Sequence, residues 1–191
     1  MEVENKRISV ISKVVASKTN GIVKTAVVKI LFILQEVYQI PLGYDYRIYT
    51  YGPYSDDVVY DIEQLKYKNF ISMELETFGT GNVGHKLKLL ERANQFIAAN
   101  NKFPSDYEAA ITETISLFGN KNVMELELST TIIYVYSNSI KNNWQYDKNA
   151  IVEDVHDIKP HFSTEQISAE YEQLQEKGLL KKIKLRAKIL A

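Results

Sequence analysis

Apolar residues recur along this chain at helical spacing in most stretches and at alternate positions in a few. Ile8, Ile11, Val14 and Val15 share one face of a helix over 6–18, which Asn20-Gly21 stops. A second helix is predicted over 22–39. Ten of the 14 residues from Thr25 to Tyr38 are apolar, on more than one face, so this helix should be central and largely buried. Pro41 and Gly43 end it. Tyr44 to Tyr51 is aromatic and β-branched and reads as a short strand that Gly52-Pro53 breaks. Ser55 is placed as an N-cap, with Asp56 and Asp57 at the positive end of the next helix. Val58, Ile62 and Leu65 form its inner stripe, and Asn69 suits a left-handed stop.

Beyond residue 70 the period changes to two. Ile71, Met73 and Leu75 alternate with Ser72, Glu74 and Glu76, and Leu87 and Leu89 alternate with Lys86 and Lys88. The segment Gly79-Thr80-Gly81-Asn82-Val83-Gly84 between them reads as a hairpin turn rather than a phosphate cradle. The glutamates and lysines then make favourable cross-strand pairs. Helix, strand, helix and two-stranded hairpin in this order is the layout of a winged helix.

The later half is again helical. A helix covers Arg92 to Asn100, and Pro104-Ser105-Asp106 starts another that reaches Phe118. Residues 122–140 allow a helix, although the β-branched run Thr130 to Val135 also suits a strand; helix is favoured. Asp147 to Asp157 is a further helix before Lys159-Pro160. Ser163 with Gln166 forms a capping-box pattern, Ile167, Tyr171 and Leu174 make an apolar stripe, and Gly178 is the stop. From Lys182 to Ile189 the alternation is strict, which predicts an amphipathic strand with a basic face.

The two halves share a grammar at an offset of 109 residues. Glu63-Gln64-Leu65 matches Glu172-Gln173-Leu174, Ser55 lies over Thr164, and Phe70-Ile71 over Leu179-Leu180. The fold class is therefore mainly α with small β-hairpins (α+β), as two tandem winged-helix-like units. One spans 1–100; the other spans 101–191 and ends in the basic strand, with no return strand visible.

Charge refines this picture. The formal net charge is −1, but it is unevenly spread. Residues 151–176 carry 7 acidic and 1 basic side chains, while residues 177–191 carry 6 basic and none acidic. Such blocks serve a polyanion contact or pair with one another; a balanced total is atypical of a strong nucleic-acid binder. No leader or membrane span is expected, since the most apolar run, Val27 to Leu34, contains Lys29 and falls short of the ~20 residues a span needs. The absence of cysteine excludes disulfides, thiolate metal sites and a cysteine nucleophile, and fits a cytoplasmic protein.

Little points to catalysis. There is no P-loop, dinucleotide fingerprint, nucleophile elbow or metalloprotease motif. Glu153, Asp154, His156, Asp157 and His161 read as a solvated acidic face rather than a metal site, and Asp56/Asp57 and Glu125/Glu127 as helix-dipole or surface groups. No catalytic residue, metal or cofactor is expected. Tyrosine is the unusual component, with Tyr44, Tyr46, Tyr49, Tyr51 and Tyr54 clustered. Tyrosines favour interfaces, and Tyr46 and Tyr54 are expected in the exposed set.

The apolar helix Lys29-Ile30-Leu31-Phe32-Ile33-Leu34-Gln35 precedes Tyr51-Gly52-Pro53-Tyr54-Ser55, and both are followed by Asp61-Ile62-Glu63-Gln64-Leu65 and Phe70-Ile71. Together these residues resemble the YwgA-like proteins and, more distantly, the SocA-type antitoxin (Panacea) domain. The aromatic-Gly-Pro element is the most distinctive part. The resemblance implies a protein that neutralises a toxin by direct binding, or a proteolytic adaptor.

The resulting expectation is a non-enzymatic regulatory binding protein, antitoxin-like or adaptor-like, acting through a protein partner, whether a toxin or a second copy of itself in a homodimer. Its partner-binding residues would be Tyr46, Tyr51, Gly52, Pro53 and Tyr54. The alternative is a winged-helix DNA-binding transcriptional regulator, whose contacts would come from Lys86, Lys88, Lys182, Lys184, Arg186 and Lys188. Asp56, Asp57, Asp61 and Glu63 on the 55–68 helix would oppose phosphates.

Overall fold

Nine helices and two small antiparallel sheets make up the described residues, so the chain is mainly helical with minor β structure, an α+β fold. The computed structural model describes residues 2–77, 81, 83–100, 102, 105 and 107–190, without the side chains of 2, 3 and 186–190. The helices are α1 (Glu2–Ala16), α2 (Lys24–Glu36), α3 (Asp56–Tyr67), α4 (Glu91–Ala99), α5 (Glu108–Phe118), α6 (Val123–Lys141), α7 (Lys148–Ile158), α8 (Thr164–Glu176) and α9 (Leu179–Leu190). The strands are β1 (Ile22–Val23), β2 (Arg47–Tyr49), β3 (Gly52–Tyr54), β4 (Ile71–Thr77) and β5 (Val83–Leu89). No helix among the described residues is long and apolar enough to cross a membrane. Two units interleave along the chain: Met1–Leu31, Pro41–Asp45 and Ser55–Asn120 form one, and Phe32–Ile40, Tyr46–Tyr54 and Lys121–Ala191 the other.

In the first unit a three-stranded antiparallel sheet, in order β1-β5-β4, packs against α1 and α3. Ile8, Ile11, Val14 and Val15 of α1 are buried with Val58, Ile62 and Leu65 of α3 and Leu87 of β5, the stripes expected from their spacing. Each such side chain contributes about 1.5–3 kcal/mol by leaving water. Where a helix was expected from residue 22, two residues first pair with β5, Ile22 opposite Leu87 and Val23 opposite Lys86, and α2 starts at Lys24. A pair of residues is too short for a periodicity to reveal. Gly21 permits it: its φ is +88°, and a Cβ there would lie 2.9 Å from the Leu87 carbonyl oxygen.

Ser55 occupies the N-cap of α3 but makes no capping bond, and it is buried. The helix ends as expected, with Asn69 at φ 55°. The β4–β5 ladder sets Glu74 opposite Lys86. The ion pairs form on the diagonal, Lys88 to Glu74 at 2.9 Å and Lys86 to Glu76 at 3.0 Å. Of the turn expected at 79–84, Gly79, Thr80 and Asn82 lie outside the described residues, as do Pro104 and Asp106. Helix α5 is capped at Tyr107, not at Ser105.

The second unit is built around α6, against which β3, α7, α8 and α9 pack. Residues 122–140 are helix in spite of their β-branched run. Asn122 and Glu125 close a capping box, and buried Thr130 and Thr131 donate their hydroxyls to the carbonyls of Leu126 and Glu127 one turn back. Those bonds remove the hydroxyl's usual objection to a buried helix. Asp147 caps α7, and Ser163 with Gln166 caps α8, as their patterns foretell.

The segment after Gly178 departs from expectation. It is helix α9, not a basic strand, and no hairpin follows α8 among the described residues. Leu179, Leu180 and Ile183 are buried at helical spacing, and Lys, Leu, Arg and Ala are all strong helix formers. On a helix, alternate residues stand about 200° apart. Positions 182 and 184 therefore fall on opposite sides of α9 and no longer share one face.

Candidate functional site

The aromatic-Gly-Pro element forms a β-hairpin rather than a strand followed by a break. β2 and β3 pair antiparallel, with Arg47 opposite Tyr54, Ile48 opposite Pro53 and Tyr49 opposite Gly52, and Thr50-Tyr51 makes the turn. Proline is tolerable because this two-stranded ladder is all edge. Gly52 is required twice over. Its φ is +86°, and a Cβ would lie 3.2 Å from Thr131 Oγ1 and 3.4 Å from Thr130 Oγ1. The buried Gly52-Pro53 pair is thus the part of the hairpin seated on α6.

The exposed part is aromatic. Tyr49 and Tyr51 are each 60% exposed, which corrects the expectation that Tyr46 and Tyr54 would be the outward pair. Tyr54 is half-buried, its ring 5.6 Å from that of Tyr49 and 5.9 Å from the Arg47 guanidinium. Tyr46, also half-buried, meets Phe32 edge-on at 5.0 Å. Of the five expected partner-binding residues, four lie in one hairpin and Tyr46 directly precedes it; the structure buries Gly52 and Pro53 and adds Tyr49.

Beneath the turn lies a buried charge. Lys159, its side chain 5% exposed, donates to the backbone carbonyls of Tyr49, at 2.9 Å, and of Thr50, and its Nζ is 2.8 Å from Glu127 Oε1. One ammonium thus donates to two backbone carbonyls and forms an ion pair with one carboxylate oxygen. Glu127, read from sequence as a helix-dipole or surface group, is 4% exposed at its side chain, and His161 Nε2 stands 3.6 Å from the same Oε1. Sequence reasoning missed Lys159 because a lone Lys before Pro160 carries no periodic signal. His156 Nδ1 lies 2.8 Å from the Phe162 carbonyl oxygen, which braces the same connection.

Two more carboxylates are buried in this unit. Glu36 accepts from Ser137 at 2.7 Å and from Lys141 at 2.8 Å. Burial pushes its carboxyl up, but the hydrogen bonds from Lys141, Ser137 and Gln35 and the charge of Lys141 hold it below the ordinary glutamate value. Glu170 accepts from Ser129 at 2.6 Å and Lys121 at 2.7 Å.

The expected nucleic-acid contacts do not gather. Lys86 and Lys88 are committed to Glu76 and Glu74. Lys182 lies 4.2 Å from the Tyr38 ring centroid, and Lys184 is exposed on α9. The side chains of Arg186 and Lys188 lie outside the described residues. On α3, Asp61 faces inward to the Tyr44 hydroxyl at 2.8 Å and Arg7 at 3.7 Å, and Glu63 pairs with Lys24 at 3.1 Å. Burial raises the Asp61 carboxyl above its ordinary value, against the pull of Tyr44 and Arg7. Asp56 and Asp57 stay at the surface.

Among the described residues no group of three or more His, Asp or Glu side chains could hold a metal ion. No protein-family model matches the chain, and no curated protein matches it.

Proposed function

We propose that this protein is a non-enzymatic regulatory binding protein of the antitoxin or adaptor kind, and that it acts through a protein partner. The observation that carries the reading is the pair of 60%-exposed tyrosines, Tyr49 and Tyr51, on a hairpin fixed from below by Gly52 and Lys159. Rigid, amphipathic rings on a pre-organised support lose little conformational entropy on binding, and tyrosine is enriched among the residues that dominate interface energy. The resemblance of Tyr51-Gly52-Pro53-Tyr54-Ser55 to the YwgA-like and SocA-type proteins agrees with it.

Affinity capture from a lysate of the source organism, run side by side with the native chain and with Tyr49→Ala/Tyr51→Ala, tests the reading. A partner retained by the native chain and lost from the variant is expected. The same proteins on both would contradict it.

One observation favours the second reading, a DNA-binding regulator. Along the chain the order α1-β1-α2-α3-β4-β5, with the sheet ordered β1-β5-β4, suits a winged-helix-like module. Its recognition helix would then be α3, with Asp56 and Asp57 toward solvent, and its wing would carry lysines already paired. Neither suits a phosphate backbone, so we place the protein partner first and retain the winged-helix-like module as the scaffold.

A further inference from the structure

Strand β4 is the edge of its sheet: in the order β1-β5-β4, no described strand pairs with its outer side. Glu74, Leu75 and Thr77 on it are exposed, Leu75 at 69%. An unpaired seven-residue edge with an exposed leucine is a template for another strand. The strand it already holds, β5, runs Lys86-Leu87-Lys88-Leu89, basic and apolar in alternation. Its lysines meet Glu76 and Glu74 on one face. Because side chains alternate, the open side of β4 offers the same two faces, Glu74 and Glu76 on one and Met73 and Leu75 on the other.

A second stretch of the chain has the grammar of β5: Lys182-Ile183-Lys184-Leu185-Arg186-Ala187-Lys188-Ile189. A helix serves this period-2 pattern poorly. Ile183 is buried in α9, but Lys184 is exposed and Leu185 is 51% exposed. Another β4 is a poor occupant, since antiparallel pairing would set glutamates against glutamates.

We infer that the open edge of β4 is a strand-acceptor site, and that its occupant is the Lys184–Ile189 segment of a second copy of this chain. Leu179, Leu180 and Ile183 keep the first turns of α9 anchored while the segment beyond them extends. Added to β4, its basic side chains reach the Glu74 and Glu76 face, and Leu185, Ala187 and Ile189 join Met73 and Leu75.

Sedimentation of the full chain across low to high micromolar concentration tests this, with and without excess synthetic peptide of residues 182–189. Concentration-dependent dimers that the peptide returns to monomers are expected. A permuted peptide of the same composition, with its alternation destroyed, should be about tenfold less effective. A charge-swapped chain, Glu74→Lys/Lys88→Glu with Glu76→Lys/Lys86→Glu, preserves the internal ion pairs but reverses the sign of the edge. It should stay monomeric while its circular dichroism matches the native chain. A native chain that remains monomeric and binds no labelled peptide overturns the inference. So does self-association indifferent to both the peptide and the swap.

Discussion

Gly52, Lys159 and Glu36 each hold a position that few other residues could fill. Gly52→Ala would force a non-glycine residue to φ +86° and press a Cβ to 3.2 Å from Thr131 Oγ1. A loss of about 2 kcal/mol in urea unfolding is expected. Lys159→Met would leave Glu127 buried without its partner, at a cost of about 3–5 kcal/mol. Adding Glu127→Gln should recover most of that loss, because the charge that suffered is then gone. Glu36 sets a pH dependence. Its folded carboxyl titrates below the unfolded one, so its contribution is complete above the ordinary value, about 4.3, and is lost as pH falls through the folded value. Glu36→Gln should therefore be less stable than the native chain at pH 6, with the gap closing toward pH 3. Sequence made Gly52 visible as part of a motif. It could not show Lys159, whose two carbonyl acceptors and ion-pair partner come from residues 110, 109 and 32 positions away.

At the scale of elements, periodicity was a sound guide wherever one face of an element is buried. The stripes of α1, α3 and α8 reappear as buried faces and β4 pairs with β5 as expected, although Leu75 on the apolar face of β4 is 69% exposed. It failed at α9, where strict alternation pointed to a strand but Leu179, Leu180 and Ile183 supply a helical stripe. It was silent on β1, which is two residues long, and it misjudged Gly52-Pro53, since a proline that ends one strand can also sit in its edge partner. The helical assignment makes a direct prediction. In dilute solution Ile183→Ala should cost about 2–4 kcal/mol, while Leu185→Ala costs under about 0.5 kcal/mol. A strand would turn both side chains to one face, and the two losses would be alike.

For the whole molecule, part of the charge read along the sequence is paired within each unit. Glu170 and Glu172 of the acidic stretch meet Lys121 and Lys148, and Lys13, Lys24 and Lys68 meet Glu108, Glu63 and Glu4. The exposed pairs among these, all but the Lys121–Glu170 pair, contribute little stability, about 0–1 kcal/mol each. The lysines so paired offer less charge to a polyanion. The interleaving of the two units was not legible, because residues 32–40 and 46–54 belong with the chain beyond 120 and no local pattern announces such a return. The most direct test of a protein partner over nucleic acid is fluorescence anisotropy of labelled duplex DNA titrated with the protein at about 50 and 200 mM salt. The account predicts no saturable binding at micromolar protein at either salt. Micromolar binding that weakens steeply between the two would contradict it and mark the chain as a nucleic-acid binder.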